Sequence, residues 1–115
     1  MDLMSVGLIN KALEGLTVRQ NYLAQNVANA NTPDYQAVSV SFEQALKEAS
    51  LTGSMDAISN VNPKTSLRAT SALSSELRVD LELAESAATA LRYSALIDVM
   101  GRQMSLTRAV IQGGQ

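Results

Sequence analysis

Near the N-terminus, apolar positions recur in alternating steps of three and four. Val6, Ile9, Leu13, Leu16, Leu23, Val27 and Ala30 follow this rhythm, with Gln20 as its polar member. In a helix this spacing gathers those side chains on one narrow face and directs Asn10, Lys11, Glu14, Thr17, Asn21 and Gln25 elsewhere. The pattern predicts a helix over about residues 3–30 whose seam needs a partner. At Gln20 two readings stand: a seam amide that fixes register, because misalignment would leave it unpaired, or a semi-exposed position.

A second seam runs from about Asp80 to Ile111. Leu83, Ala90, Tyr93, Ile97, Met100, Met104 and Ile111 share the same rhythm, with Ser86 and Thr107 filling the gaps. Leu91, Leu96, Val99, Leu106, Ala109 and Val110 broaden the apolar arc beyond what one partner helix would bury, so neighbouring subunits are expected to cover the rest. Asp80 reads as an N-cap, Glu82 and Glu85 suit the first turns, and Gly113 and Gly114 end the pattern just after Arg108. Asp98 and Arg102 form an i,i+4 pair.

Between the seams the period is lost. Val38, Val40 and Phe42 alternate with Ser39 and Ser41, which predicts a short extended segment with one buried face. Ser41 opens Ser-Phe-Glu-Gln, a capping-box word for a short helix through Ala49. Residues 50–78 are rich in Ser, Thr and Asn, include Gly53 and Pro63, and read as loop or disorder. The predicted fold is mainly α: two long antiparallel terminal helices, a coiled-coil-like hairpin, joined by a long irregular middle segment. The divisions are 1–31, 32–79 and 80–115 within one structural domain.

Composition narrows the function. The 115 residues leave room for one core, and with one Phe, three Tyr and no Trp that core must use aliphatic side chains. A net charge of -2 gives no basic field for phosphates or anionic lipid, so neither nucleic acid nor membrane is an expected partner. Without Cys there are no disulfides or thiolate sites, and without His the commonest general base and metal ligand is missing. The opening residues lack the basic region of a secretory signal, and no apolar run reaches the length of a membrane span. Asp80, Glu82 and Glu85 could be recruited as catalytic carboxylates, but no phosphate loop, nucleophile elbow or metal motif accompanies them. We expect no catalysis and no cofactor.

The most informative stretch is LAQNVANANTPDYQA, residues 23–37. Pro33 disfavours helical geometry at Thr32, while Asn29 and Asn31 can bond free backbone groups locally, so the first helix should stop near Asn31. Tyr35 can bury its ring while its hydroxyl stays wet. As a word the stretch resembles the N-terminal signature of flagellar rod and hook proteins, typically close to LANNIANANTPGYKA. Asp34 stands where Gly is frequent. The segment VDLELAESAATALRYSALIDVMGRQMSLTRAVI, residues 79–111, is similar to the closing helix of the FlgB type of proximal-rod protein, including Leu91-Arg92-Tyr93.

The resemblance implies a structural subunit of the bacterial flagellar basal-body rod, self-assembling through its terminal helices and helping to transmit motor torque. Implied partners are other rod and basal-body proteins, copies of itself in a helical assembly, and the flagellar type III export apparatus. It further implies a periplasmic rod location, reached without a cleaved signal peptide. Ile9, Leu13, Leu16, Gln20, Leu23, Val27, Asn29, Asn31, Thr32, Pro33, Tyr35, Leu91, Tyr93, Ile97, Met100, Met104 and Ile111 are the candidate interface residues. The alternatives are another proximal-rod subunit such as FlgC, or a non-flagellar coiled-coil adaptor.

Overall fold

A computed structural model describes residues 1–70 and 72–113. Helix α1 spans Leu3–Ala28 and helix α4 spans Ser75–Gly113. Between them lie strand β1 (Val38–Ser41), helices α2 (Glu43–Leu51) and α3 (Met55–Ser59), and strand β2 (Lys64–Leu67). The shape is elongated, 64 × 26 × 15 Å.

The two long helices run antiparallel. The N-terminal ammonium bonds Gln103, Gln20 bonds Ser86, Asn26 bonds Glu82 and Arg78 bonds the Ala30 carbonyl, so rising numbers on one helix meet falling numbers on the other. Asp2 caps α1, its Oδ1 accepting from Ser5 N at 2.7 Å. That bond stabilises the carboxylate and lowers its pKa.

The turn after α1 comes slightly earlier than expected. The helix ends at Ala28 and Asn29 is its C-cap, donating Nδ2 to the Gln25 carbonyl and accepting from Thr32 Oγ1. Tyr35 N then bonds the Thr32 carbonyl, closing a β-turn with Pro33 second and Asp34 third at φ 62°. Pro followed by a left-handed residue is the type II pattern. Asp34 therefore occupies the left-handed position that Gly usually fills.

Residues 50–78, expected to lack regular structure, contain the end of α2, all of α3 and β2, and the first turn of α4. β2 pairs antiparallel with β1 in the register Val38↔Leu67 to Ser41↔Lys64. Periodicity could not reveal β2, because all four of its side chains are exposed and no alternation is imposed on Lys64-Thr65-Ser66-Leu67. The start of α4 also moves. Ser74, whose Oγ accepts from Leu77 N, caps it, and Asp80 lies inside the helix. The expected end falls partly on Gly114, outside the described residues.

The Ser41 capping box does not form. Phe42 is the N-cap of α2 and makes no side-chain cap bond; instead Glu43 Oε1 accepts from Phe42 N. The extended segment is present, with Val40 and Phe42 buried. These two join Leu16, Leu46, Ala49 and Ile58 in a core on a second face of α1, which the seam pattern alone did not reveal. Gly15 admits it: a Cβ there would lie 2.5 Å from Phe42 Cδ1, so only glycine lets the ring reach the helix backbone.

Candidate functional site

Leu16 and Leu23 are buried, and Val6, Ile9, Leu13, Gln20, Val27 and Ala30 are partly buried. Gln20 Nε2 donates to Ser86 Oγ at 2.8 Å, tying position 20 of α1 to position 86 of α4.

The α4 face that meets α1 is rotated from the expected one. Glu82 and Thr89 are buried, and Val79, Ser86, Leu96, Met100 and Gln103 are partly buried. The two faces share Ser86, Tyr93 and Met100, but Leu83, Ala90, Ile97, Met104 and Ile111 turn outward. The physical reason is the polar content of the inner face: Glu82 and Ser86 have partners on or beside α1, and these bonds fix the rotation. Rotation leaves a long apolar arc in the open, including Leu91 at 72%, Ile97 at 48%, Met104 at 62%, Leu106 at 60% and Ile111 at 64% exposure. Tyr93 borders a groove with Leu16, Gln20 and Thr89. Asp98 and Arg102 pair as expected at 3.0 Å, both well exposed.

Where the ends of α1 and β1 converge, a polar clasp replaces apolar packing. Asn26 is 4% exposed, and its amide copies a strand pairing: Oδ1 accepts from Val38 N at 2.9 Å and Nδ2 donates to Val38 O at 2.9 Å. Oδ1 also accepts from the Tyr35 hydroxyl at 3.1 Å, so that hydroxyl serves the clasp. Asn26 Nδ2 reaches Glu82 Oε2 at 3.3 Å, and Glu82 in turn is ion-paired with Arg68. Arg68 Nε donates to Ser39 Oγ at 2.7 Å. One network thus joins α1, the turn, β1, the residue after β2, and α4. Asn31, Thr32 and Pro33 remain exposed at its edge.

Sequence reasoning gave Asn26 and Arg68 no role and read Glu82 only as a solvated carboxylate in the first turns of the closing helix. The available signal was an amide in the word QNVANANTPDY at a position off the seam, and a carboxylate on an otherwise small-residue stripe of α4. Neither marks burial by itself.

A second ionic contact pins α2. Arg19 donates to both oxygens of Glu43 at 2.6 Å and to the Val40 carbonyl at 2.7 Å, with its guanidinium 4.8 Å from the Phe42 ring centre. The Arg19 hydrogen bonds hold the Glu43 carboxyl below its ordinary 4.5. A depressed folded pKa means stability that is present above about pH 4.5 and lost as pH falls through the folded value. The contribution is modest because the Glu43 side chain is 56% exposed. Glu43→Gln should therefore lower the urea midpoint at pH 7, with the gap from wild type narrowing as pH falls below about 4.5.

Among the described residues no group of three or more acidic side chains is placed to hold a metal, and no helix is long and apolar enough to cross a membrane. No protein-family model matches the chain. It is 27% identical over 121 aligned positions to the flagellar basal body rod protein FlgB of Bacillus subtilis, spanning 93% of this chain and 92% of that protein. The chain is similar to FlgB proteins. A second FlgB, from Borrelia hermsii, is 42% identical over 48 residues, covering 42% of this chain and 36% of that protein. At 93% coverage, the likeness to the Bacillus FlgB takes in most of both long helices and the middle segment between them.

Proposed function

We propose that the chain is a structural subunit of the flagellar basal-body rod, as its FlgB relatives are named, and that it assembles through its terminal helices. The observation that carries this reading is the rotation of α4, which packs its polar stripe inward and leaves Leu91, Ile97, Met104 and Ile111 bare. An apolar arc of this length on an elongated helix pair is a surface for other protomers. In this reading Ile9, Leu13, Leu16, Gln20, Leu23, Val27 and Met100 hold the pair together. Leu91, Ile97, Met104 and Ile111 face neighbours, and Tyr93 lies at the border between the two faces. Asn29, Asn31, Thr32, Pro33 and Tyr35 form the turn that brings the middle segment back along α1, with Asn31, Thr32 and Pro33 exposed to neighbours. Export through the flagellar type III apparatus, a periplasmic position and a share in torque transmission belong to the same proposal.

Deleting the gene from its source cell should leave basal bodies without a complete rod and cells without motility, and restoring it should return both. Complete rods and normal swimming in the deletion strain would contradict the proposal.

A further inference from the structure

Helix α4 outruns its partner. Helix α1 starts at Leu3, where Met1 lies beside Gln103, and residues 104–113 of α4 continue for about 15 Å beyond the level of that start. The ledge this creates holds a hollow of about 390 Å³ bordered by Met1, Met100, Met104, Arg108 and Ile111.

The opposite end of α4 carries the complementary surface. Leu77 and Leu81, one helical turn apart, are 45% and 55% exposed, and the exposed Glu76 and Asp80 flank them. Glu76 and Asp80 are the exposed acids at this end, Glu82 and Glu85 being paired with Arg68 and Arg92, whereas residues 99–113 contain no acid and carry Arg108 besides Arg102, which pairs with Asp98. A chain cannot fill its own ledge, because Leu77 and Met104 lie about 40 Å apart along one helix.

Resting on the rod reading above, we infer that the ledge of one copy receives the Leu77–Leu81 face of a second copy, with Arg108 directed at Glu76 and Asp80. The contact joins two different surfaces at opposite ends of the long axis. It is therefore heterologous and repeats into an open row, not a closed pair. Leu77 and Leu81 supply apolar burial, and the opposite charges select the head-to-tail direction.

The absence of Cys makes the test direct. Purified full-length Leu77→Cys and Met104→Cys chains, differently tagged, are mixed at high concentration and mildly oxidised. The expected product is a mixed disulfide dimer, with little dimer from either variant alone. Adding Arg108→Glu to the Met104→Cys chain should cut the mixed yield about tenfold, and Glu76→Arg with Asp80→Arg on the other chain should restore it. Self-linking of Met104→Cys to the same extent would overturn the inference in favour of a two-fold contact. Absence of any cross-link would overturn it as well, pointing to a different rod subunit on the ledge. Either result, in a chain that still restores motility to its deletion strain, removes the head-to-tail contact and leaves the rod reading standing.

Discussion

Gly15→Ala is expected to destabilise the fold by about 1–3 kcal/mol, and Gly15→Leu by more. In an ordinary helix interior the alanine substitution would stabilise by about 1 kcal/mol, so the sign is diagnostic. At Gly15 the new Cβ would lie 2.5–2.6 Å from three carbons of the Phe42 ring. The ring has little room to retreat, since it is buried in the core with Leu16, Val40 and Leu46 and the Arg19 guanidinium lies across it. Gly101 is the internal control: it is also within a helix, but nothing lies within 4 Å of its Cβ position, so Gly101→Ala should raise stability. Urea unfolding of both variants checks the contrast, and the Gly15→Ala and Phe42→Ala double variant should cost less than the sum of the two single effects. A stabilising Gly15→Ala would mean that Phe42 does not pack against the helix backbone.

Asn26→Leu should cost about 3–5 kcal/mol, since it keeps the number of side-chain heavy atoms but strips several buried groups of a partner at once. Val38 loses bonds to both its N–H and its carbonyl, the Tyr35 hydroxyl loses its acceptor, and Glu82 loses a donor. Leucine can satisfy none of these, and each buried group left unpaired costs about 1–3 kcal/mol. The loss should be local in its first consequence, releasing the turn and β1 from α1. Hydrogen exchange is the suitable readout: the Val38 amide should lose protection strongly, while mid-helix amides of α1 around Leu13 should change far less. Unchanged protection at Val38 would show that the clasp does not hold β1.

These two residues also mark where sequence reading succeeds and fails. The α1 seam was legible because Leu13, Leu16 and Leu23 follow a periodic apolar pattern, and the β1 alternation was legible for the same reason at Val40 and Phe42. The α4 face was misjudged by a partial rotation because much of its contact with α1 is made by Glu82, Ser86 and Thr89, while most of the apolar residues that dominate the pattern face outward. Hydrophobic periodicity reports which face wants burial, and in α4 that is the face α1 does not cover. The clasp was invisible because Asn26, Arg68 and Glu82 are brought together from separated parts of the chain, and each alone reads as a solvated polar residue. The boundaries of α1 and α4 shifted with their caps, Asn29 and Ser74, where local hydrogen bonding overrides the apolar pattern.

The central claim is that the outward apolar arc of α4 serves assembly and not the fold of the single chain. Its most direct test is the double variant Leu91→Glu and Ile97→Glu, measured for both properties: helix content and urea midpoint of the purified chain, and rod completion in cells carrying it in place of the native chain. Both side chains are exposed in the single chain, at 72% and 48%, so its helix content and midpoint should be nearly unchanged while rods fail to form. Normal rods in cells bearing the double variant, or a collapse of the isolated chain's stability, would contradict the account.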